Sequence, residues 1–226
     1  MLSNAQEKLI RSLQTNKGRE KTGLCLVEGE KIIRMAGELI DFSFSENDSA
    51  NFSKLVTTVT PQMQAAVARA PEFKMKSIQS KNIILVLDGL QDPGNVGIIL
   101  RLCFGFHASV ILIDSVDPTN PKVIRSSAGA VFRTPWIRVK REDADTVLQS
   151  VERPAYRLEK RSGAKELHLF HPTTPFTLVI GSEGQGIQMN TQNAGSLFIQ
   201  HDPSLESLNV ASAVAIALYT LSTDFS

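Results

Sequence analysis

The chain has 226 residues, of which 42% are hydrophobic and 21% are charged, and its formal net charge is +1. This composition is that of an ordinary globular protein of one or two domains, and so small a net charge means that nucleic-acid binding would have to depend on local basic patches. No apolar run reaches the roughly 18 residues needed to cross a bilayer, and the opening "MLSNAQEKLI" lacks the basic-then-apolar layout of a secretory signal, so we expect a cytoplasmic protein.

The first third of the chain has the pattern of a small α/β domain. Residues 4–15 predict a helix with Ser3 or Asn4 as its N-cap, and the basic stretch "TNKGREK" after it predicts a turn. The segment "GLCLVEGEKIIRMAGEL" predicts a strand followed by an amphipathic helix, and "PQMQAAVARA" has a helical period. We expect Cys25 and Cys103 to be buried thiols, because neither has a partner at metal-ligand spacing, and no metal site is predicted.

The rest of the chain alternates apolar runs with helical patterns. Strands are predicted at "NIILVLDGL", "SVILI", "PWIRV", "TLVIG" and "SLFIQ", and their uniformly apolar character is typical of a parallel sheet that is covered on both faces. The alanine-rich segment "SLNVASAVAIALYTLS" predicts a core helix. Because proline and lysines precede the first of these strands, we place an N-terminal domain at 1–75, a linker at 76–82 and a second α/β domain at 83–226.

The stretch "LDGLQDPGNVGIILRLCFGF", residues 87–106, combines a strand end, a turn and a helix. Open α/β sheets place their ligand crevices at such strand ends. Asn95 and Arg101 are six residues apart, which leaves them about 120° out of register on an ideal helix, so they can meet only if Asn95 lies in the turn. The structural alternative makes Asn95 a helix cap and Arg101 a surface residue.

Two later stretches could also contribute to a site. In "LVIGSEGQGI", residues 178–187, the glycines are spaced G-x-x-G-x-G, which is neither a dinucleotide fingerprint nor a Walker loop, and Gly181 would let the backbone approach a ligand or another backbone closely. Glu183 in this loop is either solvated or functional. In "ESLNVASAVAIALY", residues 206–219, Ser207 is an apt N-cap and Asn209 could satisfy backbone groups of a neighbouring loop.

In their order and spacing, these three stretches resemble the three signature motifs of the SpoU/TrmH class of RNA ribose 2'-O-methyltransferases in the SPOUT superfamily. The pattern is Asn95-x-Gly97-x-x-x-Arg101, then Gly181-x-Glu183-x-x-Gly186, then Ser207-Leu208-Asn209-Val210 before the alanine-rich helix. The segments "RSSAGAVFRTP" and "REKTGLCLVEGEKII" resemble further parts of the family, so the likeness covers nearly the whole chain. It implies a C-terminal domain with a deep trefoil knot that binds S-adenosylmethionine, an N-terminal RNA-binding domain and a homodimer.

The resemblance also implies roles for individual residues. Gly181, Ile199 and Leu208 would hold the cofactor, although the chain reads Ile199-Gln200-His201 where the family commonly has Ile-Pro-Met. Arg101 would activate the ribose hydroxyl, and we favour an electrostatic clamp over a base because a guanidinium is protonated at any ordinary pH. The other catalytic residues implied are Asn95, Glu183, Ser207 and Asn209. The candidate RNA contacts are Lys17, Arg19, Lys21, Lys122, Arg125 and Arg133.

Several functions stay open at this point. The expected substrate is ribosomal RNA, 23S rRNA in particular, with transfer RNA as the alternative. A catalytically silent protein of the same fold that only binds RNA is a further possibility. A dinucleotide-dependent enzyme is disfavoured by the order of the glycines.

Overall fold

The protein consists of a small antiparallel sheet and a large parallel sheet. A computed structural model describes residues 1–58, 63–172, 175–191 and 194–222. The small sheet has the strand order β1-β3-β2, and the large one has the order β6-β5-β4-β9-β7-β10-β8 with all its neighbouring strands parallel. The predicted α/β class with a parallel C-terminal sheet is confirmed.

The bounds of the elements follow. The strands are β1 Leu24–Glu28, β2 Ile40–Ser45, β3 Gln64–Arg69, β4 Ile83–Asp88, β5 Ser109–Ile113, β6 Trp136–Val139, β7 Ala155–Leu158, β8 Lys165–Glu166, β9 Phe176–Gly181 and β10 Gly195–Phe198. The α-helices are α1 Asn4–Leu13, α2 Asn16–Thr22, α3 Glu30–Ala36, α4 Phe52–Leu55, α5 Met75–Gln79, α6 Pro93–Gly105, α7 Pro121–Ser126, α8 Ala144–Val151 and α9 Val210–Leu221. Short 3-10 helices lie at Gly37–Leu39, Ala130–Phe132, Arg141–Asp143 and Leu167–Leu169.

In the small sheet, β1 and β3 are buried on both faces. Alternate residues of a strand point to opposite faces, so Leu26 packs towards α1 and α4 while Cys25 and Val27 join the core of the larger domain. Both cysteines are buried free thiols, as predicted, and burial raises the pKa of Cys25 to about 12. The N-terminal domain therefore shares a continuous core with the rest of the molecule.

Two local predictions in this domain are wrong. The basic stretch predicted as a turn forms α2, because the Thr15 hydroxyl accepts from the Gly18 N–H and caps a short helix. The segment predicted to be helical contains β3, while its first two residues lie outside the described ranges. Residues Ala65–Ala68 pair with strands on both sides, and this tertiary pairing outweighs the helical preference of alanine.

The central strands of the large sheet are covered on both faces, as their sequence indicates. Leu85 and Leu87 of β4 face the layer that contains α6, α7 and α9, whereas Ile84 and Val86 face the layer that contains α5 and α8. The carboxyl ends of β4, β5 and β9 meet at one edge, where Asp88 pairs with Gly181. Within the ranges that the structure describes, no helix is both long and apolar enough to cross a membrane.

The segment predicted as a linker, 76–82, is fixed to the large sheet. Most of α5 falls within it, and the side chain of Ile78 is fully buried. The Ser109 hydroxyl donates to the Ile78 carbonyl at 2.9 Å, and the Gln79 amide donates to the Ser150 carbonyl at 3.1 Å. The boundary between the domains stays a prediction, but the connection is a packed helix.

Candidate active site

The helix α6 begins directly at the carboxyl edge of the sheet. Asp92 is its N-cap and accepts a hydrogen bond from the Asn95 N–H at 2.8 Å, and Pro93 occupies the first turn. Asn95 therefore lies inside the helix and is not in the preceding turn. The angular offset from Arg101 is retained, so these two side chains point in different directions.

The glycine loop closes tightly after β9. The Gly186 N–H donates to the Ser182 carbonyl at 2.8 Å, and these two residues form an isolated antiparallel bridge. A Cβ atom at Gly181 would lie 2.2 Å from the carbonyl carbon of Gly186, which no side chain could tolerate. Gly181 is thus required for the approach of one backbone segment to another.

A buried aspartate ties the end of β4 to the segment that follows this loop. Asp88 is only 1% exposed, and its Oδ2 accepts from the backbone N–H groups of Gln188 at 2.6 Å and Met189 at 2.8 Å. Its Oδ1 lies 2.5 Å from Nη1 of Arg141. Asp88 is not among the predicted site residues, although a carboxylate at the end of an apolar strand needs partners if it is buried.

Three of the predicted catalytic residues meet at the start of α9. The side-chain amide of Asn209 donates to Oδ1 of Asn95 at 3.0 Å and is 3.4 Å from Oε1 of Glu183. The same glutamate oxygen is 3.5 Å from the Val210 backbone nitrogen. Residues 95, 183 and 209 belong to three separate motifs, so the fold brings the three motifs to one place.

Asn209 also caps α9. Its Oδ1 accepts from the backbone N–H groups of Ala211 and Ser212 at 3.0 and 3.2 Å. The expectation that Ser207 is the N-cap is therefore wrong, because the helix begins three residues later at Val210.

Ser207 lines a cavity of about 180 Å³ beside this cluster, together with two of the predicted cofactor residues, Ile199 and Leu208. The remaining lining residues are Leu158, Glu159, Lys160, Phe198, His201, Glu206 and Ala213. We call it the hydrophobic cavity. Gly181 is not among its lining residues.

Polar contacts shape the loop where the chain departs from Ile-Pro-Met. Nδ1 of His201 lies at hydrogen-bond distance, 2.7 Å, from the Ile199 carbonyl oxygen. The hydroxyl and the backbone N–H of Ser204 both donate to Asp202, and these bonds hold the pKa of that carboxyl below its usual range. Side-chain hydrogen bonds therefore define this turn.

A second and larger cavity is lined by both Asn95 and Glu183. Its volume is about 470 Å³, and we call it the strand-end cavity because it opens where β4, β5 and β9 terminate. It is lined by Gly89, Leu90, Gln91, Asp92, Asn95, Asp114, Arg141, Ser182, Glu183, Gln185 and Val210. Asn95 and Glu183 thus line the strand-end cavity, while Leu208, which precedes Asn209 in the chain, lines the hydrophobic cavity.

Residues 82–219 match the model of the SpoU rRNA Methylase family. The chain belongs to this family. It is 29% identical to the 23S rRNA (guanosine(2553)-2'-O)-methyltransferase RlmP of Bacillus subtilis, and the similarity covers 96% of this chain and 96% of that protein. A TrmH-family protein from Porphyromonas gingivalis has a similar structure, with a TM-score of 0.82, 30% identity, and coverage of 97% of this chain and 98% of that one. The AdoMet-bound rRNA methyltransferase from Sinorhizobium meliloti shares the fold, with a TM-score of 0.85 at 24% identity and coverage of 97% and 95%.

In this SpoU-family chain, Arg101 lies outside the three-residue cluster. Its side chain is exposed on α6, and it makes no hydrogen bond or ion pair with any other residue that the structure describes. Its neighbours on the same helical face are Ile98 and Phe104, which are 44% and 47% exposed. A single copy of the chain therefore does not bring the guanidinium to Asn95.

One of the predicted RNA contacts is a buried structural residue. Arg19 is only 5% exposed, because its Nε donates to Oδ2 of Asp117 at 2.8 Å and its Nη1 donates to the Leu13 carbonyl at 3.0 Å. This guanidinium cannot reach RNA, so its assignment as an RNA contact is corrected. It joins α2 to the larger domain instead.

Two further arginines also connect the domains. Nη1 of Arg125 lies 3.1 Å from Oε1 of the buried Glu28, and Nε of Arg133 donates to the Met35 carbonyl at 3.0 Å. The predicted contacts that remain exposed without such a role are Lys17, Lys21 and Lys122. Among the described residues, no group of three acidic, histidine or cysteine side chains is arranged to hold a metal ion.

Proposed function

We propose that the protein transfers a methyl group from S-adenosylmethionine to the 2'-hydroxyl of a ribose in structured RNA, with 23S rRNA as the substrate. The observation that supports this most directly is the convergence of Asn95, Glu183 and Asn209 beside the hydrophobic cavity. Membership of the SpoU family and the name of the B. subtilis relative point to the same reaction. The enzyme would act in the cytoplasm, where ribosomes are assembled.

The residues of the hydrophobic cavity fit the proposed cofactor. Ile199, Leu208 and Phe198 offer apolar contact to a flat base, while Lys160 and Glu206 offer charge to an amino-acid group. When bound, the cofactor supplies an electrophilic methyl group on a sulfonium. Gly181 would act through the closed loop that it permits, since a side chain there would collide with the backbone of Gly186 and Ile187. The trefoil knot of the cofactor-binding loops stays a prediction.

Arg101 would act on the ribose. The bond between the 2'-oxygen and the methyl carbon would form as the methyl–sulfur bond breaks and leaves a neutral thioether, and the hydroxyl proton would pass to water. The Arg101 guanidinium would lower the free energy of the negative charge that develops on the oxygen. Asn95 and Glu183, fixed by Asn209, would orient the sugar and limit its freedom. Ser207 would order the loop at the mouth of the hydrophobic cavity.

A homodimer would complete this arrangement. On α6, Ile98, Arg101 and Phe104 follow at three-residue intervals and share one face, and on the adjacent α9 Ile216 and Tyr219 are 41% and 75% exposed. Large apolar side chains grouped on two packed helices indicate an interface. A second copy that covers this face would shield Arg101 from water, and a charge shielded in this way acts more strongly on a neighbouring group.

RNA would be held partly by the exposed lysines. Lys17 and Lys21 lie on α2, and Lys122 lies 3.9 Å from Asp92, the cap of the helix that contains Asn95. Contacts from such residues to phosphates position RNA without reading its sequence. We therefore expect the N-terminal domain to contribute to the affinity for RNA. We expect the strand-end cavity to contribute to the selection of the target nucleotide.

The test of this function compares the wild type with Arg101→Ala. Titration calorimetry with S-adenosylmethionine and transfer of a tritiated methyl group to RNA should show cofactor binding in both proteins and a rate lowered by about 100-fold or more in the variant. Arg101→Lys should keep part of the rate if the charge acts as a clamp. Arg34→Ala, which removes an exposed arginine from α3, is the matched control and should leave the rate unchanged.

The proposal would be refuted if the wild type did not bind the cofactor, or if the tritiated methyl group were found on a base instead of a ribose. Retention of full RNA binding with no transfer in the wild type would favour the alternative of a silent RNA-binding protein. Transfer RNA is the second candidate substrate, because a Synechocystis relative, 29% identical over 96% of this chain, is named as an uncharacterized tRNA/rRNA methyltransferase. Separate assays with purified 23S rRNA and transfer RNA distinguish the two.

A further inference from the structure

We infer that the strand-end cavity binds the base of the target nucleotide, and that Asp114 selects guanine there. This inference depends on the proposed function and extends it from the ribose to the base. The cavity shares Asn95 and Glu183 with the proposed ribose site, so a base attached to that ribose is within reach of it. Its volume of about 470 Å³ falls within the range of roughly 300–1,000 Å³ that is usual for small-molecule sites.

The lining of the cavity excludes a phosphate. Of its described lining residues, Asp92, Asp114 and Glu183 contribute carboxylates, and Arg141 is the one cation. The Arg141 guanidinium is already neutralised, since it lies 2.5 Å from Oδ1 of Asp88 and 3.6 Å from Oδ2 of Asp114. A neutral ligand with several N–H donors fits these walls better than an anion does.

Asp114 has more free hydrogen-bond acceptor positions for a ligand than the other two carboxylates have. Glu183 contacts Asn209 and Val210, and one oxygen of Asp92 caps α6. By contrast, the Asp114 side chain is 51% exposed, and within the described ranges its polar contacts are with Arg141, at 3.3 Å from the backbone N–H and 3.6 Å from Nε. An ionised carboxylate has about four acceptor positions, so both oxygens can still accept from a ligand.

The position of Asp114 is fixed by its surroundings. It follows β5, its N–H donates to the Val139 carbonyl at 3.2 Å, and the Gln91 side chain donates to its carbonyl at 2.6 Å. These bonds fix the backbone of Asp114, and the contacts of its carboxylate with Arg141 orient the side chain. A carboxylate oriented in this way can distinguish ligands by the direction of their hydrogen bonds.

Guanine is the natural base whose edge matches this arrangement. Its Watson–Crick edge presents two adjacent N–H donors, from N1 and N2, followed by the O6 acceptor. Asp114 would accept from both donors, and Arg141 beside it would donate to O6. Adenine, cytosine and uracil each present a single N–H donor position on that edge, next to acceptors that the carboxylate would repel.

The experiment uses RNA from cells that lack the protein, methylated in vitro by the full-length enzyme and digested to nucleosides for mass spectrometry. We expect 2'-O-methylguanosine. Asp114→Asn should lower kcat/KM by at least about tenfold, because the amide offers one acceptor and turns a donor towards the donors of guanine, while affinity for S-adenosylmethionine should not change. Asp145→Asn, at an exposed position on α8 outside the cavity, is the control and should behave like the wild type.

A second measurement separates recognition from a structural effect of the substitution. Once the position is mapped, an RNA with inosine there lacks the N2 donor, and the wild type should methylate it about tenfold more slowly than the guanosine RNA. Asp114→Asn should show little difference between the two RNAs.

The outcomes are distinguishable. Methylation of the ribose of adenosine, cytidine or uridine, or equal discrimination against inosine by wild type and variant, would overturn the guanine assignment and leave the methyltransferase function standing. Failure to form any 2'-O-methylnucleoside, together with absent cofactor binding, would overturn both.

Discussion

At the scale of single residues, Gly181 and Gly184 provide a matched pair in the same loop. A methyl group at Gly181 would meet the Gly186 backbone at 2.2 Å, whereas one at Gly184 would meet nothing within 4 Å. We expect Gly181→Ala to lower the free energy of unfolding by roughly 2 kcal/mol or more, because backbone atoms must move to admit it. Gly184→Ala should change it by less than about 0.5 kcal/mol. Urea denaturation of both variants checks this, and equal stabilities would show that the loop is not closed as described.

Single residues also mark the limit of what the sequence can indicate. Lys17, Arg19 and Lys21 look alike as a basic stretch, and their local pattern gives no reason to separate them. The difference is Asp117, which lies 98 positions later and draws Arg19 into the interior. Long-range partners of this kind are invisible to spacing arguments, because they depend on how the two domains pack.

At the scale of elements, the sequence predicts best where the burial pattern is simple. The strands β4, β5 and β9 are apolar throughout because the sheet is covered on both faces, and all three were predictable from that feature alone. The strand β7, "AYRL", is short and half-buried, so it has no such signal. The meeting of Asn95, Glu183 and Asn209 followed from the family resemblance of their motifs, since no periodicity relates three segments so far apart.

The start of α9 allows the two roles of Asn209 to be separated. Asn209→Ala removes both the cap and the amide that contacts Asn95 and Glu183, so we expect a loss of about 1 kcal/mol in stability and a lower rate of methyl transfer. Asn209→Ser keeps a capping oxygen but has no amide donor. Asn209→Ser should therefore restore the stability, which thermal unfolding measures. It should leave the rate of methyl transfer low, which the tritium assay measures. Recovery of both properties by serine would mean that the amide contacts are irrelevant to the reaction.

At the scale of the whole molecule, the buried Arg19–Asp117 pair fixes the N-terminal domain on the sheet domain. Arg19→Ala leaves the Asp117 carboxylate buried without its cation, which should destabilise the protein by roughly 3–5 kcal/mol. The exposed neighbour Lys17 is the control: Lys17→Ala should unfold at the wild-type denaturant concentration, yet bind RNA less tightly. A stable Arg19→Ala protein with weakened RNA binding would reverse these assignments and return Arg19 to the RNA-binding surface.

The oligomeric state of the whole molecule determines the environment in which Arg101 acts. If a second copy covers the face of α6 and α9, light scattering should give a particle of about twice 24.8 kDa. Phe104→Glu and Tyr219→Glu should each shift it towards the monomer, since a carboxylate would be forced into an apolar contact. Methyl transfer should fall with the particle mass, because Arg101 then returns to open water, where its charge is screened. Met63→Glu, at an apolar residue of the N-terminal domain that is 79% exposed, should change neither mass nor rate. A wild-type particle of 24.8 kDa with full activity would instead require Arg101 to reach the ribose within a single chain, against the helical offset that separates it from Asn95.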